Sequence, residues 1–233
     1  MGEMRILLTG GYGKLGTELR KLRKFDWVPT KSELNITDSD SINSYILNKN
    51  IDLIVHAAAL PNTNTKLISL DKLYGINVYG TKNICSTLIP VLFISTEYVF
   101  DGVDGNYNET DLCNPINHYG ATKVLGELIV LKNNGKVIRS GRISLNPWPY
   151  DSACQDMYTS GDYIEIMAKE IDLAISLYDK LPNVIHIGTE RKSVLELAKR
   201  TNPNVREISR SDLDSILPRD SSFDIRLWQE IKK

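Results

Sequence analysis

The segment from Met4 to Gly16 constrains the fold of this chain more than any other stretch. It joins the short apolar run Ile6–Leu8 to a turn with four glycines, and an amphipathic helical pattern follows directly. A strand, a glycine turn and a helix in this order are typical of a dinucleotide site, where the helix N-terminus receives a pyrophosphate. The sequence therefore predicts a cofactor site at this turn. The four glycines are Gly10, Gly11, Gly13 and Gly16.

Three of these glycines have separate tasks in such a turn. Gly10 permits a tight exit from the strand, and Gly13 lets the backbone approach a pyrophosphate. Gly16 lets the helix pack closely on the strand. A glycine-rich turn that binds nothing is the alternative interpretation, because a glycine pattern alone is not specific.

Apolar runs and helical patterns alternate along the first 140 residues. This alternation predicts a parallel sheet with helices on both faces. We therefore predict a Rossmann-type, doubly wound α/β domain over residues 1–145. Residues 146–233 are expected to form a reduced C-terminal substrate-binding lobe, with a strand near 183–188 returning to the sheet. After the first strand, the predicted strands lie at residues 27–29, 52–55, 91–94 and 136–138.

Three predicted helices have recognisable boundaries. Thr37, with an acidic residue three positions later, resembles a capping box and is expected to cap the second helix. A longer helix is predicted from Ser69 to Thr87, although glycines at positions 75 and 80 fall inside it. A further helix is expected to open near Tyr119 and to end near Lys132.

Composition excludes several classes of function. The chain is 42% hydrophobic and 24% charged, as in an ordinary globular protein. A net charge of -1 without a basic cluster argues against nucleic-acid and membrane partners. The three cysteines are widely spaced and form no metal-ligand pattern, which predicts a reduced protein without a metal site. With no spanning apolar run and no signal peptide, a cytoplasmic location is expected.

The residues after the second predicted strand bear on the choice of cofactor. An acidic residue at this place would bind the ribose 2′-hydroxyl of NAD. The chain has Thr30, Lys31 and Ser32 instead. A cation between two hydroxyls suits a 2′-phosphate, so the sequence favours NADP(H), with NAD(H) as the alternative. Lys31 as a loop lysine without a ligand is the plain interpretation.

The third predicted strand ends in a histidine followed by three alanines, His56-Ala57-Ala58-Ala59. Small residues at the carboxyl end of a strand leave room for a flat ligand in the crevice there. They are equally compatible with tight core packing. We expect His56 to be a structural histidine.

Thr96, Tyr119 and Lys123 form a pattern with usable chemistry. Thr96 follows the fourth predicted strand, while Tyr119 and Lys123 are four residues apart and share one helix face. A phenol titrates at about 10, and a nearby ammonium would lower that pKa. We therefore expect Tyr119 to exchange a proton with a carbonyl or alcohol, with Thr96 at the same oxygen. On a helix taken alone, a surface tyrosine–lysine pair is the alternative.

Four segments resemble those of one enzyme family. They are the glycine turn, the alanines after His56, Ser95-Thr96-Glu97-Tyr98-Val99-Phe100-Asp101-Gly102, and Tyr119-Gly120-Ala121-Thr122-Lys123. Together they resemble the extended short-chain dehydrogenases/reductases, and most of all the dTDP-4-dehydrorhamnose reductases. Residues 217–224 are similar to a segment near the end of that family. The resemblance is strong over residues 4–142 and patchy beyond.

The resemblance implies an oxidoreductase of dTDP-rhamnose and polysaccharide biosynthesis. It would be an NADP(H)-dependent reductase of a nucleotide-linked 4-keto-6-deoxy sugar. Hydride would go to C4, and Tyr119 would give a proton to the C4 oxygen. Lys123 would hold the nicotinamide ribose, Thr96 takes the serine/threonine role, and Glu97 sits where the reductases have a substrate-contacting aspartate. Predicted cofactor-binding residues are Gly10, Gly11, Tyr12, Gly13, Lys14, Leu15, Gly16, Thr30, Lys31, Asn35, Ile36, Ala57, Ala58, Ala59, Tyr119 and Lys123.

Other functions stay open on the same scaffold. Related epimerase-reductases carry a cysteine where this chain has Glu97, and its absence favours plain reduction. A 4,6-dehydratase would have an acidic residue directly after the threonine, so a nucleotide-sugar epimerase or dehydratase is one alternative. The regulatory subunit of methionine adenosyltransferase resembles these reductases too, so a non-catalytic cofactor-binding subunit is another. A homodimer is compatible with the sequence.

Overall fold

Five parallel strands form the central sheet. The computed structural model describes residues 4–61, 68–141, 143–213 and 216–233. Neighbouring strands of the sheet are all parallel, so their carboxyl ends meet at one edge. With strands numbered along the chain, the spatial order is β1 (Ile6–Thr9), β2 (Leu53–His56), β3 (Val91–Thr96), β4 (Lys136–Ser140) and β9 (Val184–Ile187).

Helices cover both faces of this sheet, which confirms the doubly wound α/β prediction. Successive strand residues point to opposite faces, and Leu7 and Leu8 accordingly belong to two different hydrophobic clusters. The helices on the Leu8 face are α1 (Lys14–Leu22), α6 (Ile164–Ser176) and α8 (Arg226–Ile231). The helices on the Leu7 face are α2 (Ser39–Ile46), α4 (Thr81–Cys85) and α5 (His118–Lys132).

Two local predictions in the first third of the chain are wrong. The strand expected at residues 27–29 is reduced to a single parallel bridge between Trp27 and Leu7, because Pro29 has no amide proton to continue a ladder. The cap of α2 is Asp38, whose carboxylate accepts the amide protons of residues 40 and 41. The Thr37 hydroxyl donates instead to the side chain of Asn35 at 2.9 Å.

The helix expected from Ser69 to Thr87 is interrupted. It consists of α3 (Leu70–Tyr74), a π-helical turn (Gly75–Gly80) and α4. The two glycines differ, since a Cβ at Gly80 would lie 2.8 Å from the Ile36 side chain whereas a Cβ at Gly75 would meet nothing within 4 Å. Close packing therefore explains Gly80 alone. Wide turns of this kind occur often at functional sites.

Short strands build the C-terminal lobe beside the carboxyl edge of the sheet. Trp148, Met157 and Leu195 belong to the hydrophobic cluster that holds it together. Its strand pairs are β5 (Ile143–Ser144) with β8 (Asp162–Tyr163), β6 (Ser152–Cys154) with β11 (Arg206–Ile208), and β7 (Tyr158–Thr159) with β10 (Lys192–Ser193). Helix α7 (Val194–Lys199) begins with a capping box between Ser193 and Glu196.

After residue 145 the chain adds one strand to the central sheet and two helices to one of its faces. Strand β9 pairs with β4, and helices α6 and α8 pack on the Leu8 face. Trp228 of α8 is fully buried, and its indole N–H donates to Glu170 at 2.6 Å. The domain boundary at residue 145 stays a prediction.

Truncation of Trp228 should expose how much the last helix contributes to stability. Because this side chain is fully buried, Trp228→Ala should lower the free energy of unfolding by about 3–5 kcal/mol, measured by urea denaturation. Leu227→Ala, at a 37% exposed position of the same helix, is the matched control and should cost much less. Equal losses in the two variants would contradict this packing role.

Candidate functional site

A cavity of about 630 Å³ lies at the carboxyl edge of the sheet. Its wall combines the turn after β1, the residues after β2, the end of β3 and the start of α5. Ser140 at the end of β4, Gly141 directly after it and Tyr150 of the lobe also line it. Ligands of open parallel sheets bind in this crevice, so the cavity is the candidate active site.

The cavity brings together most of the predicted site residues. Those on its wall are Gly10, Gly13, Lys14, Leu15, Gly16, Ala57, Ala59, Thr96, Glu97, Tyr119 and Lys123. Those that do not line it are Gly11, Tyr12, Thr30, Lys31, Asn35, Ile36 and Ala58. The sequence reasoning did not select Pro61, Ile94, Ser95, Tyr98, Ser140, Gly141, Ile143 and Tyr150, which also line it. Several of these lie at strand ends, and that position is the signal that could have found them.

The glycine turn fits a dinucleotide. Gly10 has a φ of 73°, and a Cβ there would lie 2.6 Å from the backbone nitrogen of Ala58. Gly13 precedes helix α1 as its N-cap. A Cβ at Gly13 would meet only the Gly10 carbonyl, at 3.2 Å, so its open side faces the cavity. This leaves a cradle for a pyrophosphate at the N-terminus of a nine-residue helix.

Two residues of the turn face away from the cavity. A Cβ at Gly11 would lie 2.2 Å from the Val28 side chain, so Gly11 serves the packing of strand and loop. Tyr12 is 58% exposed, and the Arg20 guanidinium lies 4.5 Å from the centre of its ring. Both residues keep their cofactor-binding assignment only as a prediction.

The segment after Trp27 contains an acid that the sequence analysis missed. Glu33 accepts the Thr30 amide at 2.7 Å and the Thr30 hydroxyl at 2.8 Å. These hydrogen bonds hold the pKa of the Glu33 carboxyl below its usual value. Lys31 is exposed next to this pair. The segment therefore carries a cation and a carboxylate two residues apart in the chain, where only a cation was expected.

Three predicted cofactor residues make contacts inside the protein instead: Asn35 through hydrogen bonds, and Ile36 and Ala58 through packing. The Asn35 amide donates to the Ser41 hydroxyl at 2.9 Å, and its side-chain oxygen accepts from Thr37. Ile36 is buried and belongs to the cluster on the Leu7 face, and Ala58 packs against that cluster. Their placement beside a cofactor stays a prediction.

Thr96 and Tyr119 meet at the cavity. Asn117 caps helix α5 by accepting the Gly120 amide at 2.8 Å, which places Tyr119 in the first turn. The Thr96 side chain hydrogen-bonds the phenol of Tyr119, and the Tyr98 ring stands edge-on to the Tyr119 ring at 6.3 Å. Burial raises the pKa of Tyr119 well above its usual value, and the bond from Thr96 opposes that rise. The phenol is therefore held protonated.

Lys123 lies on the same face of α5 as Tyr119, but its ammonium donates to a backbone carbonyl of β3. Its ammonium donates to the Ile94 carbonyl at 2.7 Å and lies 3.8 Å from the centre of the Phe93 ring. Burial lowers the pKa of Lys123 to about 7, against an opposing effect of Glu127. The expected lowering of the Tyr119 pKa by Lys123 is wrong in this structure, because burial dominates at the phenol.

A buried ion pair lies beneath these residues. Arg139 of β4 donates to Glu127 of α5 at 2.8 Å, and both side chains are at least nine-tenths buried. The hydroxyl of Ser95, on β3, also donates to Glu127. One carboxylate therefore joins α5, the helix that carries Tyr119 and Lys123, to two strands of the sheet.

His56 belongs to a hydrogen-bonded chain of buried polar groups. Its ring nitrogens bond the hydroxyls of Thr9 at 2.7 Å and Thr81 at 3.1 Å. Burial lowers the pKa of His56 to about 3, so the ring stays neutral. Both nitrogens are thus occupied inside the protein, as the structural interpretation of His56 expects.

Asn77 continues this chain of hydrogen bonds, because its backbone carbonyl accepts the Thr81 hydroxyl at 2.7 Å. The sequence analysis did not select it. It lies in the π-helical turn, where its amide donates to the Thr122 hydroxyl at 3.0 Å and accepts the backbone amide of Leu60 at 2.7 Å. Thr122 in turn donates to the Tyr119 carbonyl at 2.7 Å. The wide turn therefore supports the first turn of α5.

Within residues 4–61, 68–141, 143–213 and 216–233, the structure contains no cluster of histidine, cysteine and acidic side chains that could hold a metal ion. Over the same ranges, every helix is too short or too polar to cross a bilayer. Cys85, Cys113 and Cys154 are free thiols.

A parallel sheet with a glycine turn at its first strand and a threonine, tyrosine and lysine around one cavity is the arrangement expected from the resemblance to extended short-chain dehydrogenases/reductases. The family model described as the RmlD substrate binding domain matches residues 4–153. This is more than half of the chain, so the chain belongs to that family.

Curated relatives include a reductase and a subunit of methionine adenosyltransferase 2. A dTDP-4-dehydrorhamnose reductase from Aggregatibacter actinomycetemcomitans is 34% identical over 144 residues, which cover 58% of this chain and 49% of that protein. Methionine adenosyltransferase 2 subunit beta from Bos taurus is 32% identical over 145 residues, covering 56% of this chain and 43% of that protein. The chain thus matches about half the length of these relatives.

Solved structures share the fold over nearly the whole chain. A hypothetical dTDP-4-dehydrorhamnose reductase from Sulfolobus tokodaii is 29% identical with a TM-score of 0.83, covering 98% of this chain and 94% of that chain. The dTDP-4-dehydrorhamnose reductase of Bacillus anthracis in complex with NADP is 23% identical with a TM-score of 0.84, covering 99% and 98%. The second likeness shows the fold alone.

The depressed pKa of Lys123 has a consequence for stability. The folded pKa is about 7, while a lysine in an unfolded chain titrates at about 10.4. Between these values the unfolded chain binds more protons, so the contribution of Lys123 to the free energy of unfolding rises with pH. Relative to Lys123→Met, the wild type should therefore gain stability as pH rises above about 7, measured by urea denaturation up to about pH 9.

Lys132→Met, at an exposed position near the end of the same helix, is the control and should show no such trend. If the stability difference between wild type and Lys123→Met stays constant over that pH range, the depressed pKa is contradicted.

Proposed function

We propose that this chain is an NADP(H)-dependent reductase of a nucleotide-linked 4-keto-6-deoxy sugar. The observation that carries the proposal is the meeting of Thr96 with a protonated Tyr119 on the cavity that also contains the glycine turn. A reduction needs a proton donor at the carbonyl oxygen, and a phenol held protonated is suited to that task. The relative from Aggregatibacter actinomycetemcomitans supports dTDP-4-dehydrorhamnose as the substrate.

The proposed role of each residue follows from its position on the cavity wall. When bound, the nicotinamide supplies a hydride to C4 of the sugar. Tyr119 gives its proton to the C4 oxygen, and Thr96 orients that oxygen from the end of β3. Lys123, whose ammonium donates to the Ile94 carbonyl in this structure, would hold the nicotinamide ribose, and Glu97 would contact the sugar. Gly13, Lys14 and Leu15, which line the cavity, would hold the pyrophosphate.

Replacement of Tyr119 tests this chemistry directly. Tyr119→Phe should lower kcat for reduction of dTDP-4-dehydrorhamnose by about 10²–10⁴-fold, with NADPH oxidation followed at 340 nm. The ring keeps its packing against Tyr98, so folding should be unaffected. Tyr79→Phe removes a hydroxyl from a 63% exposed tyrosine and should turn over like the wild type. Full turnover in Tyr119→Phe would rule out Tyr119 as the proton donor.

The preference for NADP(H) depends on Lys31. An exposed ammonium can pair with a 2′-phosphate, and the structure of the Bacillus anthracis reductase contains NADP. Glu33 nearby would oppose a phosphate, which keeps NAD(H) as the alternative.

Removal of this ammonium separates the two cofactors. Lys31→Ala should raise KM for NADPH about tenfold and leave KM for NADH unchanged, because only NADPH has the 2′-phosphate. Lys24→Ala, at another exposed lysine, should alter neither KM. An unchanged KM for NADPH in Lys31→Ala would remove Lys31 from the cofactor site.

A regulatory subunit is the second candidate function, favoured by the similarity to methionine adenosyltransferase 2 subunit beta. Under that proposal the chain would bind the cofactor without turning over any keto-sugar nucleotide. Steady-state assays with dTDP-, UDP- and GDP-linked 4-keto sugars distinguish the two functions. Cofactor binding without turnover of any of them would favour the regulatory function or an epimerase.

The proposed setting is that of a cytoplasmic enzyme of sugar-nucleotide metabolism. Three free thiols are typical of a reducing compartment. The proposed small-molecule partner is the nucleotide sugar, and a homodimer stays a prediction.

A further inference from the structure

Glu97 stands in the cavity wall beside the proposed proton donor. It opens a single 3₁₀ turn (Glu97–Val99) directly after β3, next to Thr96. The residue is 1% exposed. Burying a carboxylate is costly unless hydrogen bonds hold it, so the groups that bond Glu97 decide the direction of its side chain.

The lobe supplies one of these groups. The Thr159 hydroxyl, at the end of β7, donates to Glu97 Oε2 at 2.6 Å. The same hydroxyl oxygen accepts the Gly161 amide proton at 2.8 Å. Because an amide can only donate, the hydroxyl proton is left for the carboxylate. Thr159 is itself 1% exposed, so this bond from its hydroxyl fixes the direction of Glu97 Oε2 inside the protein.

The segment that carries Thr159 is fixed against the sheet. A Cβ at Gly141, which follows β4 and lines the cavity, would lie 2.6 Å from the Gly161 nitrogen. The Thr189 amide donates to the Ser160 carbonyl at 2.7 Å, and the buried Lys192 ammonium donates to the Gly161 carbonyl at 2.9 Å. The hydroxyl of Thr159 therefore reaches Glu97 from a backbone with little freedom.

We propose that Thr159 is a positioning residue, through which the C-terminal lobe holds the Glu97 carboxyl group directed at a sugar hydroxyl of the bound nucleotide sugar. The inference rests on the proposed function for its substrate class. It assigns to the lobe a task at the reacting end of the cavity: Thr159 acts through Glu97 and need not touch the sugar itself.

Equilibrium binding tests this coupling without requiring turnover. The probe is dTDP-rhamnose, titrated calorimetrically into the full chain saturated with NADP. Thr159→Val removes the hydroxyl at nearly constant volume and should weaken binding about tenfold. Thr159→Ser keeps the hydroxyl and should bind within about threefold of the wild type. In the Glu97→Gln background, Thr159→Val should cause no further loss, because residues that act as a unit are not additive.

Thermal denaturation identifies any variant that fails to fold, and Thr159→Ala then replaces Thr159→Val in the same comparison. Unchanged affinity in Thr159→Val, or an equal loss in the Glu97→Gln background, would overturn the inference. A wild type that binds dTDP-rhamnose with the predicted coupling but reduces no keto sugar would remove the proposed reductase and leave the positioning role intact. A wild type that does not bind dTDP-rhamnose would overturn the inference.

Discussion

The buried ion pair between Glu127 and Arg139 is the interaction on which the candidate site depends most. Removing one partner of such a pair leaves a charge without compensation and costs about 3–5 kcal/mol. Here the pair also fixes the position of α5 relative to β4, since Glu127 lies one helical turn after Lys123 on α5 and Arg139 lies on β4. Ser95 adds a bond from β3. Helix α5, which carries Tyr119 and Lys123, is thereby held in one register against the strands that end at the cavity.

Much of the fold was predictable from the sequence because its signals are local. The glycine turn after β1, the alternation of apolar runs with helical patterns, and the spacing of Tyr119 and Lys123 are properties of short segments. Parallel strands then place their carboxyl ends together whatever the intervening loops contain. This is why Ala57, Thr96 and Tyr119, which are far apart in the chain, line one cavity.

The rest was not predictable because it depends on contacts between distant segments. Nothing near Thr159 indicates that its hydroxyl meets Glu97, 62 residues earlier in the chain. The bonds that Asn77 of the π-helical turn makes with Leu60 and Thr122 are likewise contacts that no helical periodicity contains. The predicted direction of the Tyr119 pKa shift was wrong because the spacing along the helix shows that Lys123 is near but not that Tyr119 is buried. Its burial depends on distant segments and raises the pKa.

The lobe is built from two separate stretches of chain, and this arrangement limits how it can respond to a ligand. The first stretch leaves β4 and ends in α6, and the second leaves β9 and ends in α8. Four chain connections therefore join the lobe to the sheet layers, one at each end of the two stretches. A domain that moves as a rigid body is usually joined by a single linker. Filling the cavity should tighten sheet and lobe as one cooperative unit, so ligand binding and global unfolding would be coupled.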